Sequence, residues 1–342
     1  MAEALLEYNP DTNIEPLREI LTAGTVADKI ELAENLEPIE VHRDGPRFYG
    51  AHVTDGEQDF FIKDIVEPES PENAGYIHTA ANHLRTEIDM LGYLAGHGLD
   101  IAPKLLAANR GANPWYATEH IDDGYLGNNV SPFFYERGML RQTNPRAIFQ
   151  NIQVIQGLTN QQDIPAWLTS PERAQTNNPD LGDSGIQFFA DGTGWSRGKV
   201  ERAYTKSLQI RAQSPQVLIH GEVYPQHVYV SADGEKTTFI DWENTKLGDA
   251  YSDHVAVWLR TLEEPEWQKA YFELVSGQEG FDQATWDASV FLSAMGNYRW
   301  LTDGGDQMEA SRRQAAAEFC RQAAMAAADR LLSTQSIEAV LV

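Results

Sequence analysis

Residues 217–243 read VLIHGEVYPQHVYVSADGEKTTFIDWE, a stretch in which apolar runs alternate with short polar motifs. The apolar run at 217–219 predicts a short buried strand that ends in a loop. An Asp233-Gly234 pair between two runs of β-branched and aromatic residues predicts the turn of a β-hairpin. Because a hairpin returns the chain to its starting point, we expect Glu222 and Asp241, which flank it, to lie close together. Burying two acids together is costly unless a metal ion or a reacting proton is involved.

Residues 38–122 predict a small mixed sheet that carries one helix. Alternating apolar residues predict five strands, separated by turn signals and, once, by a helical pattern. The predicted elements, in chain order, are strands near 39–41, 48–53 and 61–66, a helix at 79–96, and strands near 104–108 and 115–120.

A lysine and a glutamate interrupt the apolar faces of two of these elements. Lys63 falls on the strand face of Phe61, and Glu87 lies on the helix stripe of Leu84 and Leu91. Taken alone, each fits a surface residue whose long side chain reaches solvent, just as acids in loops are usually solvated. Together, upstream of the acidic hairpin, they indicate an ion pair in a phosphoryl-transfer site. In such a site a lysine holds phosphates and acids hold magnesium.

The motifs resemble those of the aminoglycoside phosphotransferase family, which includes choline-kinase-like proteins and shares the protein-kinase fold. The family's loop His-Gly-Asp-x-x-x-x-Asn is similar to the stretch from His220 to His227, and its Ile-Asp-Trp-Glu motif matches 240–243. A Gly-Asp pair and Asp253 follow in the family's order. The resemblance covers residues 38–262. It implies a two-lobed, protein-kinase-like α+β fold, with a small mainly antiparallel sheet lobe and a larger mainly helical lobe.

The resemblance also implies a nucleotide site in the sheet lobe, with ATP as the phosphoryl donor. Lys63 matches the lysine that anchors the α- and β-phosphates, and Glu87 matches the helical glutamate that holds this lysine. The stretch 118–121 falls where a hinge binds adenine through backbone hydrogen bonds. This position assigns Glu119 and Ile121 to nucleotide binding.

The remaining implied roles depart from the family in two places. Asp241 matches the metal-binding aspartate, while His220 and Asp253 match residues that brace the loop. Glu222 replaces the family's catalytic aspartate, so the base that orients or deprotonates the acceptor hydroxyl is one methylene longer. His227 replaces a metal-binding asparagine. The resemblance implies Mg²⁺ as the cofactor, but an imidazole ligand suits Mn²⁺ better than Mg²⁺. The expected metal is therefore Mg²⁺ or Mn²⁺.

The composition excludes several classes of protein. The 342 residues include 51 acidic and 26 basic side chains, and the formal net charge of −25 would repel the phosphate backbone of nucleic acids. Cys320 is the single cysteine, which excludes an internal disulfide and predicts a reducing, cytoplasmic location. The chain has no apolar stretch of about 18 residues and does not begin with a signal-peptide pattern, so we expect no membrane partner.

The sequence predicts three segments. Residues 1–37 form an acidic extension, in which apolar repeats predict two amphipathic helices, and residues 38–122 form the nucleotide-binding lobe. Residues 123–342 form the catalytic and substrate lobe, whose C-terminal part is mostly helical. Within this lobe, 123–200 is rich in Asn, Gln, Gly and Pro and has poor periodicity. The Gly-rich stretch 192–198 is predicted to be a loop, because no strand clearly precedes it.

Three functions agree with these motifs. The leading hypothesis is an ATP-dependent kinase for a hydroxyl of a small molecule, with Glu222 as the base and with His227 or Gln226 assisting Asp241 at the metal. The acidity of the chain favours a cationic acceptor, such as an amino sugar or a choline-like amine. A second hypothesis is a pseudokinase that binds nucleotide without catalysis. A third is a metal-dependent hydrolase that uses the two histidines and two acids of 220–241, which gives the lysine of the sheet lobe no role.

Overall fold

The computed structural model describes residues 6–7, 37–44, 48–54, 59–65, 74–111, 114–121, 124–127, 133–160, 165, 168, 182–304 and 308–333. The chain divides into two compact units. The first comprises Met1–Asp122 and Thr238–Asn244, and the second comprises Asp123–Thr237 and Thr245–Val342. The end of the predicted hairpin therefore belongs to the first unit, together with Asp241.

The first unit is built on a six-stranded sheet in which every neighbouring pair is antiparallel. The strands are β1 (Leu6–Glu7), β2 (Glu37–Asp44), β3 (Phe48–Thr54), β4 (Asp59–Ile65), β5 (Leu105–Asn109) and β6 (Trp115–Glu119), in the sheet order β1-β5-β6-β4-β3-β2. The register places Ile62 opposite both Ala51 and Ala117, and all three are fully buried. Because successive side chains of a strand point to opposite faces, Lys63 projects from the other face of β4.

One helix of this unit, α1 (Ala74–Gly96), carries the candidate residue Glu87. It begins before the predicted start at residue 79 and ends at the predicted glycine. Its apolar stripe is buried at Leu84, Ile88 and Leu91. The chain then turns at Gly98, whose φ of +65° is readily adopted by glycine.

The second unit is mainly helical. Its helices are α2 (Arg137–Gln142), α3 (Pro145–Gly157), α4 (Gly182–Thr193), α5 (Arg197–Gln213), α6 (Ser252–Arg260), α7 (Pro265–Ser276), α8 (Gln283–Thr302) and α9 (Ala310–Ser333). The long helix α8 contacts α4, α5, α6 and α9, so it lies at the centre of the unit's core. The Ala-rich α9 packs small buried side chains, including Ala324 and Ala327, along its contact with α8.

Helices α2, α3 and α4 lie in the region 123–200, where periodicity predicts no helix. The start of α3 is nevertheless marked by local signals. Pro145 occupies its first turn, and the side chain of Asn144 accepts a hydrogen bond from the Arg146 backbone N–H.

The loop predicted at 192–198 is wrong except at its centre. Helix α4 continues to Thr193 and α5 begins at Arg197, which leaves a three-residue turn between them. Gly194, at φ +69°, lets the chain leave α4, and the Ser196 side chain caps α5 by accepting from the Lys199 N–H. The glycines therefore mark a helix-to-helix turn.

Short strands position the motif loop of the second unit. β8 (Gln216–Ile219) pairs with β11 (Lys246–Asp249), and residues 220–227 follow β8 directly. β7 (Gly124–Tyr125) pairs with β9 (Val228–Val230) in a sheet of order β10-β9-β7, where β10 (Thr237–Phe239) leads into the segment that belongs to the first unit. The strand and hairpin predicted around this loop are therefore present.

The two helices predicted in the acidic extension, between residues 17 and 36, lie outside the described residues. The described part of the extension is the strand β1, which pairs with β5, and Glu37, the first residue of β2. Within the described ranges, no helix combines the length and the apolar character needed to cross a membrane.

His254, in α6, should make the stability of the protein depend on pH. Its buried ring contacts the Tyr271 hydroxyl through Nδ1 at 2.9 Å and lies 3.3 Å from Gln153 Nε2. Burial lowers the pKa of His254 to about 3, below the value of about 6.5 expected in the unfolded chain. The unfolded state therefore gains a proton first, and stability falls as the pH drops from about 6.5 towards 3.

We expect His254→Phe to flatten this acid limb by up to about 1.4 kcal/mol per pH unit. Urea unfolding of both proteins at several pH values between about 4 and 7 measures the difference. Parallel pH profiles for the wild type and the variant would show that another group titrates.

Candidate active site

Lys63 forms two ion pairs inside the first unit. Its Nζ donates to Glu87 Oε2 at 2.8 Å and to Asp241 Oδ1 at 2.9 Å. The three residues come from β4, from α1 and from the segment after β10, so three separate parts of the chain meet here. Lys63 and Glu87 are 6% and 1% exposed, and water therefore screens their interaction only weakly.

Burial and charge oppose each other in this cluster. Burial alone lowers the pKa of Lys63, but the carboxylates of Asp241 and Glu87 outweigh it and hold this pKa well above its usual value. Burial raises the pKa of Glu87 to about 7, because Lys63 offsets only part of the desolvation while Asp241 and Glu243 add negative charge. At neutral pH the cluster therefore holds one full positive charge among three acids.

Two further residues, Tyr116 and Trp242, lie close to the Glu87 carboxylate. Tyr116 lies opposite Lys63 in the register of β4 and β6, and burial raises the pKa of its hydroxyl, an effect to which the negative charge of Glu87 adds. The Trp242 backbone N–H donates to Glu87 Oε1 at 3.3 Å, and the buried indole of Trp242 donates to the Phe239 carbonyl at 2.9 Å. The motifs do not identify Tyr116; only the register of the strands places it beside the lysine.

The acids of this cluster fit a divalent cation. Asp241 has a φ of +63°, an uncommon conformation for a residue other than glycine and one that recurs at functional sites. Glu87, Asp241 and Glu243 each place one carboxylate oxygen within 4.8 Å of the others. Hard oxygen ligands of this kind suit Mg²⁺. His83, one helical turn before Glu87, lies 3.2 Å from Glu243 Oε1 through its Nδ1, a contact that the sequence analysis missed.

The predicted hinge, residues 118–121, begins in the last two residues of β6. The Glu119 N–H donates to the Lys104 carbonyl at 3.1 Å, and Glu119 Oε1 accepts from the Lys104 N–H at 3.1 Å. These bonds engage Glu119 with Lys104, the residue before β5. Among the described residues, no group forms a hydrogen bond with the backbone of Ile121.

In the second unit, Asp253 of α6 fixes the start of the loop 220–227. Its Oδ2 accepts from the His220 N–H at 2.7 Å, and its Oδ1 accepts from the Gly221 N–H at 3.0 Å. Burial raises the pKa of Asp253 to about 6, although both backbone donors favour its ionised form. Gly221 has a φ of +90°, a conformation that glycine adopts readily and other residues rarely do.

The backbone of Glu222 is fixed by three contacts, and its side chain is half-buried. Its N–H donates to His220 Nδ1 at 3.3 Å, and its carbonyl accepts from the Tyr224 N–H at 2.7 Å. The same carbonyl lies 2.9 Å from His227 Nδ1. Because a carbonyl only accepts, this Nδ1 carries a proton, and in the neutral form of the ring the lone pair lies on Nε2. Histidines that bind metals commonly donate their other nitrogen in this way.

The geometry of His220 gives no support to a hydrolytic metal site. Its ring is fully buried, and its Nδ1 accepts a backbone hydrogen bond. Over the described ranges of the chain, His220 joins no group of three side chains placed to share a metal ion.

A sequence profile of the phosphotransferase enzyme family, APH, matches residues 39–288. The chain belongs to the phosphotransferase enzyme family. The matched range contains the Lys63 cluster as well as the loop 220–227 and Asp253, so both candidate regions lie within the family's domain. A search among curated proteins found no significant match.

Solved structures similar to this phosphotransferase-family chain have the protein-kinase-like fold. The microcompartment-associated aminopropanol kinase aligns with a TM-score of 0.54 at 15% identity, over 94% of this chain and 98% of its own. The aminoglycoside phosphotransferase APH(4)-Ia gives a TM-score of 0.52 at 13% identity, over 91% and 99%. Choline kinase LicA from Streptococcus pneumoniae gives 0.51 at 13% identity, over 84% and 94%. These matches confirm the predicted α+β, protein-kinase-like fold.

Proposed function

We propose that this phosphotransferase-family protein is an ATP-dependent kinase that transfers a phosphoryl group to a hydroxyl of a small molecule. The observation that carries the proposal is the buried, charged ammonium of Lys63 between Glu87 and Asp241. Phosphoryl transfer depends mainly on positioning and on stabilisation of charge, and a fixed cation supplies both. The pseudokinase hypothesis shares this cluster and differs only in the absence of turnover.

The first unit is proposed to bind the nucleotide. Lys63 contacts the α- and β-phosphates, while Glu87, held by the Trp242 N–H, keeps the lysine in place. Adenine binds the backbone at Ile121, with Glu119 beside it. The surplus of negative charge around Lys63 explains why a nucleotide would enter together with a divalent cation.

Asp241 is the proposed ligand of that cation, and Glu243 adds a second carboxylate in the same unit. His227 is proposed as a ligand from its motif position and its tautomer. When bound, Mg²⁺ or Mn²⁺ neutralises charge on the phosphates.

The loop of the second unit is proposed to act on the acceptor. Glu222 takes the proton of the acceptor hydroxyl while the oxygen of that hydroxyl forms a bond to the γ-phosphorus of ATP. The bond between the γ-phosphorus and the bridging oxygen breaks, and ADP leaves with that oxygen. The contacts of Asp253 and His220 keep the backbone of this loop fixed, which limits displacement of the base.

A direct assay tests the proposal. The purified protein, with ATP and either Mg²⁺ or Mn²⁺, is incubated with a panel of hydroxyl compounds, and ADP formation and phosphomonoesters are followed by ³¹P NMR. We expect ADP formation that depends on the acceptor and yields one new phosphomonoester. Thermal stabilisation by ATP without turnover on any acceptor would instead support the pseudokinase hypothesis.

If His227 binds the metal, the protein should be more active with Mn²⁺ than with Mg²⁺. His227→Asn restores an amide oxygen, so it should shift the preference towards Mg²⁺. The measured quantity is the Mn²⁺-to-Mg²⁺ activity ratio in the wild type and in the variant. His97→Asn, which alters a histidine at the end of α1, is the control. An identical ratio in the wild type and in His227→Asn would exclude ligation by His227.

A further inference from the structure

Arg260 is a buried cation that forms no ion pair with any described residue. It is the last residue of α6, two helical turns after Asp253, and is 7% exposed. Its Nη1 donates to the Ala256 carbonyl at 3.1 Å, whereas its buried Nε finds no acceptor among the described residues. A buried charge without a counter-charge is strongly destabilising, so this arrangement calls for an explanation.

The guanidinium of Arg260 packs between aromatic rings. Its Cζ lies 4.1 Å from the centroid of the Tyr224 ring and 5.3 Å from that of Phe133. Trp300 stacks on Phe133 with centroids 6.4 Å apart and is 36% exposed, so this aromatic cluster reaches the surface. Cation–π contacts offset only part of the desolvation of a charge, so the aromatic rings alone do not compensate for the burial of Arg260.

Arg312 also packs against an aromatic ring, but its charge is paired with a carboxylate. The Cζ of Arg312 lies 4.6 Å from the centroid of the Phe134 ring, next to Phe133 in sequence. Its guanidinium forms a two-pronged ion pair with Glu263. Arg260 has the same kind of aromatic contact without the carboxylate.

Tyr224 connects Arg260 to the loop that carries the proposed base. Its N–H donates to the Glu222 carbonyl at 2.7 Å, and its ring lies against the guanidinium. Burial raises the pKa of Tyr224; the positive charge of Arg260 opposes this effect, and the negative charges of Glu222 and Asp253 add to it. Glu222 and Arg260 therefore both act on one side chain.

We propose that Arg260 binds an anionic group of the acceptor, so that the acceptor is a hydroxylated carboxylate or phosphate. This inference rests on the proposed function, because it takes Glu222 as the group that receives the acceptor's hydroxyl. Guanidinium groups bind carboxylate and phosphate oxygens through charge-assisted hydrogen bonds, and the bound anion supplies the charge that Arg260 lacks. A chain of net charge −25 repels anions at long range, so binding one here requires a local cation. The cationic acceptor expected from composition follows from the net charge of the whole chain. The acceptor, however, binds next to Arg260, where the local charge is positive.

Three acceptors that share a diol and differ in charge test the inference in the kinase assay: glycerate, glycerol 3-phosphate and 3-amino-1,2-propanediol. We expect wild type to phosphorylate glycerate or glycerol 3-phosphate in preference to the amine, and the better of these two tells carboxylate from phosphate. Arg260→Gln should raise the KM of the preferred anion about ten- to a hundredfold and leave the KM of ATP unchanged. Arg260→Lys keeps the positive charge, so its KM for the preferred anion should lie between those of the wild type and Arg260→Gln. Arg312→Gln is the matched control, and its KM should equal that of the wild type.

A binding measurement keeps the test decisive if none of the three compounds is a substrate or if Arg260→Gln folds poorly. With the nucleotide site filled by a non-hydrolysable ATP analogue and Mg²⁺, titration with inorganic phosphate or malonate should raise the Tm of wild type. The rise should be smaller in Arg260→Lys and unchanged in Arg312→Gln. Preferential phosphorylation of the amine would overturn the inference while leaving the kinase proposal intact. The inference would also be overturned if the anions did not raise the Tm of the wild type, or if they raised the Tm of the Arg260 variants by the same amount as that of the wild type.

Discussion

Replacing Lys63 with methionine is expected to abolish thermal stabilisation by ATP and to lower kcat/KM by about 10²–10³-fold. Methionine keeps most of the length and shape of the side chain but removes the ammonium that lies 2.8 Å from Glu87 and 2.9 Å from Asp241. Without it, no cation of this cluster remains to bind phosphate oxygens. Differential scanning fluorimetry with and without Mg²⁺ and ATP measures the effect directly.

The same substitution should also destabilise the protein, because it leaves buried acids without a counter-charge, at a cost of about 3 kcal/mol. Glu87 can limit the loss by taking up a proton, since burial already raises its pKa to about 7 and Lys63 no longer lowers it. The loss should therefore be smaller at a pH of about 6 than at about 8. Adding Glu87→Gln to Lys63→Met should recover stability without restoring the response to ATP.

Lys104→Met, at an exposed position of the same unit, is the control for the loss of a lysine. It should leave both the stability and the ATP response unchanged. A folded Lys63→Met protein that ATP still stabilises as strongly as wild type would remove the sheet unit from the proposed site.

The Lys63–Glu87 ion pair could be predicted from the sequence because both residues break an apolar pattern. A charge on a buried face needs a partner, and the strand and the helix were adjacent in the chain and both strongly periodic. The strands and the hairpin could be predicted for the same reason, since their alternation and turn residues are local signals. The family's motif then orders these elements into the protein-kinase-like fold.

Tyr116 and Arg260 could not be predicted, because each depends on contacts between segments far apart in the sequence. Tyr116 reaches Glu87 only through the register of β4 with β6, and no motif specifies that register. Arg260 reads as an ordinary basic residue at the end of a helix until the rings of Phe133 and Tyr224 are seen around it. Periodicity does not predict the helices in the region 123–200, because polar residues and glycines obscure it, although Asn144 and Pro145 mark the start of α3.

Replacing Glu222 with glutamine should lower kcat by about 10²–10⁴-fold while changing the affinity for ATP little. Glutamine keeps the shape of the side chain and its ability to accept a hydrogen bond, but it cannot take a proton at neutral pH. The backbone contacts of Glu222 with His220, Tyr224 and His227 do not involve its carboxylate, so the loop should keep its structure. Steady-state kinetics with ATP and an identified acceptor give kcat and KM separately.

Glu222→Asp separates the chemistry of the carboxylate from its position. It restores the residue that the family uses but draws the carboxylate back by one methylene, and proton transfer is sensitive to shifts of about 1 Å. A value of kcat between those of wild type and Glu222→Gln would show that both the charge and the reach of the glutamate matter. Glu279→Gln, at an exposed site of the second unit, controls for the loss of one negative charge. Glu222→Gln activity within about twofold of wild type would mean that another group orients the acceptor, because base catalysis contributes far more than that.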